Sequence, residues 1–177
     1  SMRRSDFCIG WEYARDNGPF EAVVVPHDAM LGGRRGPDAP GGSASGYYFG
    51  TSFRYRKSFQ LTAKQAVGPL FIEFEGVYRN PVITVNGARV DAPPYGFVPF
   101  LVDLAGVAQP GNNVIEVAGS NVDQPDCRWY SGAGIYRQVW LWEPESSDGL
   151  VILPEGVRVS TASINPPTMC IDVACSQ

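Results

Sequence analysis

The sequence holds one histidine, His27, in 177 residues. That scarcity excludes multi-histidine zinc or iron centres, and any Ser-His-Asp or Cys-His catalysis would have to run through that one side chain. Cysteine is sparse as well. Cys8, Cys127, Cys170 and Cys175 show no C-x-x-C spacing, and the last two are separated by a distance that does not suit a zinc knuckle. They are read as free, partly buried thiols of a reducing compartment. Charged residues make up only 18% of the chain, with 14 Lys+Arg against 18 Asp+Glu for a net charge of −4. Outside Arg34-Arg35 and Arg54-Tyr55-Arg56-Lys57 there is no basic footprint, so nucleic acid is not expected as a partner. No apolar run approaches the roughly 18–20 residues that cross a bilayer, so no membrane-spanning helix is expected. The start, Ser1-Met2-Arg3-Arg4, has no signal-like apolar stretch, and together with the thiols this gives a cytoplasmic location as the expectation. Phosphate-binding and nucleophile-elbow motifs are missing too: Gly42-Ser43-Ala44-Ser45-Gly46 does not match G-x-S-x-G.

Period-two alternation is what the chain has in quantity. Phe53, Tyr55 and Phe59 fall on one face of a strand whose other face carries Arg54 and Arg56, and Leu70, Ile72 and Phe74 oppose Glu73 and Glu75. Ile83–Val85, the pair Asn86-Gly87, and Ala88–Val90 read as a hairpin, because Asn-Gly accepts the positive φ angles of a type I′ turn. Val114–Ala118 and Gln138–Trp142 complete the evident strands. With no sustained 3.6-residue pattern, the expected class is all-β, an antiparallel β-sandwich.

Two loops interrupt that pattern. Residues 32–50 are rich in glycine and contain Tyr47-Tyr48, and residues 121–134 collect Asp123, Asp126, Arg128, Trp129 and Tyr130. Aromatic faces suit the apolar side of a pyranose, and Asp and Arg suit its hydroxyls. The competing reading is a loop whose aromatics merely cap the sandwich. Glu73 and Glu75 have a separation compatible with a glycosidase carboxylate pair, but an outer sandwich face offers no pocket, so catalysis is not expected there. His27 beside Asp28 reads equally as a ligand contact or as a structural pair. After Trp142 the stretch Glu143–Gly149 has linker chemistry, and the strands beyond it are too short a piece to enclose a core alone.

Three stretches carry a resemblance. Gly10-Trp11 leads to Val25-Pro26-His27-Asp28 and Tyr55-Arg56-Lys57-Ser58-Phe59. Phe74 to Asn80, Val85-Asn86-Gly87 and Tyr95-Gly96-Phe97 through Asp103-Leu104 follow. Arg128-Trp129-Tyr130-Ser131-Gly132-Ala133-Gly134-Ile135-Tyr136-Arg137 is the most specific. In this order and spacing they resemble the N-terminal sugar-binding domain of glycoside hydrolase family 2, the β-galactosidase and β-glucuronidase family. The resemblance implies a galactose-binding-like jelly-roll over residues 1–145, then a linker and the first strands of a truncated immunoglobulin-like domain over 146–177. In such enzymes a (β/α)₈ barrel carries both catalytic glutamates, so no catalytic residue is assigned here and the fragment is expected to be inert by itself. The partners implied are a β-galactoside or β-glucuronide and the barrel and immunoglobulin-like domains of the same parent chain. The loop before Gly134-Ile135 supplies an aspartate to the sugar in family members. Arg128 occupies that position in this sequence, with Asp126 the nearest carboxylate. Asp28, Asp126, Arg128, Trp129 and Tyr130 are therefore the candidate substrate contacts. No cofactor is implied. Such domains can hold a structural calcium, for which the sequence shows no decisive ligand cluster. The alternative from another class is a free-standing lectin-like carbohydrate-binding module, and a third reading is a domain serving assembly only.

Overall fold

The computed structural model describes residues 1–93, 96–122, 132–145 and 151–176. Fourteen strands follow in order. They are β1 Met2–Asp6, β2 Trp11–Arg15, β3 Glu21–Val23, β4 Ser52–Leu61, β5 Phe71–Phe74, β6 Val77–Tyr78 and β7 Val82–Val85. The rest are β8 Ala88–Val90, β9 Phe100–Asp103, β10 Gly111–Ser120, β11 Gly134–Ile135, β12 Val139–Pro144, β13 Val151–Ile164 and β14 Pro167–Ser176. One sheet has the order β1-β12-β5-β9 and the other β3-β2-β4-β10-β7-β8, with antiparallel pairing throughout. The chain changes sheet repeatedly, as between β1 and β2, β4 and β5, and β9 and β10, so many neighbours in space are far apart in sequence. This is the expected all-β sandwich.

The alternation in the sequence sorts the side chains as anticipated. Trp11, Phe53, Tyr55, Phe59, Ile83, Ile115 and Val117 point inward from the six-stranded sheet, and Ile72, Phe74, Phe100, Val102 and Val139 from the four-stranded one. Trp11 and Phe74 meet edge to face across the gap at 6.2 Å, while Phe74 and Phe100 stack at 5.3 Å. On the outer face of the four-stranded sheet, Glu75 accepts the indole N–H of Trp140 at 2.8 Å and Glu73 that of Trp142 at 2.6 Å. The Arg4 guanidinium lies 4.4 Å above the Trp140 ring. The two glutamates are thus occupied as indole acceptors, as the outer-face reading anticipates.

The Asn86-Gly87 turn joins β7 to β8 with φ of 50° and 81°, both in the left-handed region that this residue pair tolerates. One element has no counterpart in the alternation pattern. Residues Ala63–Val67 form a single helical turn, α1, started by a capping box between Thr62 and Gln65. A five-residue helix is too short to leave a periodic signal. Beyond residue 150, β13 and β14 make a two-stranded ribbon of their own. Its cross-strand pairs Val157–Val173 and Val159–Ile171 are about half exposed.

The inward row on β5 gives a direct test of the core. Ile72→Ala, at a fully buried position, should lower stability by about 2–5 kcal/mol, seen as a lower urea midpoint with an unchanged slope.

Candidate functional site

The segment after β3 runs beside the residues that follow the second candidate loop. Residues His27 and Ala29 donate their backbone N–H groups to Ile135 and Ala133 carbonyls at 2.7 and 2.8 Å, so residues 27–29 run alongside 133–135. Asp28 closes this junction. Its Oδ1 accepts the Met30 N–H at 2.9 Å, turning its own chain, and the Ala133 N–H at 3.1 Å, holding the returning segment. The carboxylate expected as a sugar contact is therefore also a clamp on the chain that follows residue 131.

Tyr55 supplies the pivot beneath it. The ring is buried, yet its hydroxyl lies 2.7 Å from His27 Nδ1 and 3.4 Å from the His27 carbonyl, and it accepts the Ile135 backbone N–H. Burial pushes this phenol well above its usual range, so it stays neutral. Nδ1 is thereby engaged by Tyr55, which leaves Nε2 as the other polar atom of the ring. Gly134 sits against the same hydroxyl at φ 92°, and a side chain there would collide with it. Gly134 pairs with Tyr78 through β11 and β6. Tyr78 in turn contacts the Phe97 ring at 5.1 Å. In this way pieces of all three motif stretches meet around Gly134.

The other end of the second loop is held as firmly. Asn121 is buried, accepts the Thr51 N–H at 2.9 Å, donates its own N–H to the Thr51 carbonyl at 3.0 Å, and reaches Met30 Sδ at 3.1 Å. Met30 belongs to the turn that Asp28 makes. Asn121 and Ala133, on either side of residues 123–131, are thereby both held to the Asp28–Met30 turn, the first through the Met30 side chain and the second through the Asp28 carboxylate. Asp126, Arg128, Trp129 and Tyr130, like Asp123 and Cys127, lie outside the described residues. Of the candidate contacts, the structure places Asp28.

The glycine-rich loop is more ordered than its composition suggests. It doubles back on itself, with Gly36 N–H to Tyr47 carbonyl at 2.9 Å and Phe49 N–H to Arg34 carbonyl at 3.1 Å. Arg35 covers Tyr48 and Arg34 covers Phe49, at 4.7 and 4.5 Å. Glycine lets the tip turn while the two Arg–aromatic pairs hold the stem. Among the described residues, no three His, Cys, Asp or Glu side chains converge as a metal site would require. Cys8 is buried, with its thiol pushed up by burial, and Cys170 and Cys175 are exposed and free.

Arg15, Thr51, Tyr55 and Asn121 gave no sign of their roles in the sequence. Tyr55 stood in an aromatic row with Phe53 and Phe59, and alternation cannot distinguish a hydroxyl that acts from a ring that fills.

No family profile matches the chain. Relatives do. Beta-galactosidase BoGH2A of Bacteroides ovatus is 32% identical over 184 aligned positions, covering 97% of this chain and 21% of that protein. A β-glycosidase structure from Bacteroides vulgatus superposes with a TM-score of 0.78 at 28% identity, over 98% of this chain and 24% of that one. A glycosyl hydrolase family 2 member from Bacteroides cellulosilyticus gives 0.76 at 27% identity, over 91% and 23%. The chain spans about a fifth to a quarter of these relatives.

Three outcomes follow from this geometry. Tyr55→Phe should destabilise by about 1–3 kcal/mol, because His27 Nδ1 and the Ile135 N–H lose a buried partner. Asp28→Ala should likewise cost about 1–3 kcal/mol in urea unfolding, and Asp28→Asn much less, since an amide oxygen can still accept both N–H groups. His27, packed against Tyr13 and Tyr55, has its pKa lowered below 6.5 by burial, with Asp28 opposing and Arg15 assisting. The unfolded chain then binds the extra proton first. Stability contributed by His27 is fully present above about pH 6.5 and falls as pH drops below it. Thermal midpoints should therefore decline from about pH 7 to pH 5 more steeply in the parent than in His27→Gln.

Proposed function

We propose, from the premise that this chain is a domain-sized homologue of glycoside hydrolase family 2 enzymes, that it is their non-catalytic sugar-binding domain. In this reading it supports the catalytic barrel of a retaining O-glycosyl hydrolase and helps shape the pocket for a terminal β-galactoside or β-glucuronide. The supporting observation is the double anchoring of the 121–133 region. Asn121 at one end and Ala133 at the other are tied to the Asp28–Met30 turn. The stretch that carries Asp126, Arg128, Trp129 and Tyr130 in sequence is thus flanked by two residues held to one turn, the arrangement that substrate positioning needs. Asp28 is a positioning residue here, and the aromatic and charged members of the loop are the sugar contacts. Hydrolysis itself belongs to glutamates outside this chain.

The domain division follows the same reading. Residues 1–145 are the sugar-binding unit, and 146–177 begin an immunoglobulin-like domain. The half-exposed pairs Val157–Val173 and Val159–Ile171 on β13–β14 favour this, because such a face is ordinarily covered by further strands.

In a full-length enzyme bearing this domain, Trp129→Ala should raise KM or lower kcat on a nitrophenyl β-galactoside or β-glucuronide by about tenfold or more. Unchanged kinetics would leave the domain with assembly alone. The 177-residue chain assayed alone should show no turnover of either substrate, and hydrolysis above background would overturn the non-catalytic assignment.

A further inference from the structure

A cleft of about 320 Å³ lies between the inner face of the β2–β3 edge and the segment running from His27 to Gly32. The row Trp11, Tyr13, Arg15 on β2 begins in the core and leaves it here. Tyr13 and Glu21 stand directly opposite each other across the β2–β3 ladder. Val23, Leu31 and the His27 ring complete the walls. The volume is at the small end of ligand-sized clefts, about 300–1,000 Å³, and suits one ring rather than a chain.

Its chemistry is mixed and balanced. The Arg15 guanidinium is fixed by the Ala29 and Leu31 carbonyls, which its Nη2 reaches at 2.6 and 3.0 Å. The guanidinium carries five N–H donors in a fixed fork, so it is a donor held in place before any ligand arrives. Glu21 is exposed at the mouth and supplies a carboxylate acceptor. His27 has Nδ1 committed to Tyr55, so Nε2 is its remaining polar atom. Tyr13 packs against the His27 ring at 4.6 Å and gives the cleft an aromatic side. An anionic ligand would meet Glu21, and the Tyr13 hydroxyl, raised chiefly by burial with Arg15 opposing, also feels the charges of Asp16, Asp28 and Glu21. A cationic ligand would meet Arg15. A neutral ligand with adjacent hydroxyls satisfies both, donating to the carboxylate and accepting from the guanidinium, while its C–H face covers Tyr13, Val23 and Leu31.

We propose that this cleft binds a neutral pyranoside through Glu21, Arg15 and His27 Nε2, with Tyr13 as its apolar platform. The proposal does not rest on the reading of the 121–133 loop.

The single histidine makes the test clean, because the ring ¹H–¹⁵N signal of the 177-residue chain reports one site. Methyl β-D-galactopyranoside and methyl β-D-glucopyranoside are the probes, with methyl β-D-glucuronide as the anionic control. At least one neutral probe should shift the His27 signal saturably, with a Kd on the order of 1–10 mM. Glu21→Gln, at an exposed position that leaves the fold intact, should weaken it about tenfold, and the glucuronide should bind less tightly than its neutral counterparts. Trp129→Ala in the full-length enzyme tests the loop, whereas Glu21→Gln in this titration tests the cleft, so either reading can fail without the other. No saturable shift with either neutral probe, an equal affinity in Glu21→Gln, or tighter binding of the glucuronide would each overturn the proposal.

Discussion

A buried phenol must find hydrogen-bond partners, and at Tyr55 those partners come from segments that have no other reason to meet. The hydroxyl lies in contact with His27 on one side and with the backbone of Gly134 and Ile135 on the other. An unpaired polar group at this depth would cost on the order of 1–3 kcal/mol, so the segments are held to fractions of an ångström rather than packed loosely together. From that point the rest of the rim follows. His27 in place puts Asp28 within reach of Ala133, and Asp28 in place turns the chain so that Met30 meets Asn121. The requirement for glycine at 134 is the steric counterpart of the same contact, since the hydroxyl occupies the space a Cβ would take.

The remainder of the molecule is built to keep that rim rigid. Two antiparallel sheets enclose an aromatic-rich core, and the outer face of the smaller sheet is tied by indole–carboxylate bonds from Trp140 and Trp142 to Glu75 and Glu73. Loops carrying recognition groups gain precision when their ends are anchored on such a frame. Scarcity of histidine and of charge fits this division of labour. The one histidine is spent as a neutral strut, and Arg15 spends its Nη2 donor on backbone carbonyls.

The cleft beside β3 draws on the same parts. Arg15 and His27 face it because the rim needs them where they are, and their remaining polar atoms are already oriented. A binding surface can arise in this way from residues whose first task is structural, at little further cost in ordering.

The amino-acid pattern by itself determined the all-β class, the Asn86-Gly87 hairpin, and which residues of β4 and β5 face inward, because alternation and turn preference are local properties of consecutive residues. It also marked Asp28 and the aromatic loop as noteworthy by residue type. The one-turn helix at Ala63–Val67 and the closed stem of the glycine-rich loop were beyond it, the first too short for periodicity and the second held by Arg–aromatic pairs across a turn. The roles of Tyr55, Asn121 and Arg15 were decided only by tertiary structure. Whether a buried hydroxyl, amide or guanidinium acts or merely fills depends on which distant backbone groups are brought to it, and no run of neighbouring residues encodes that.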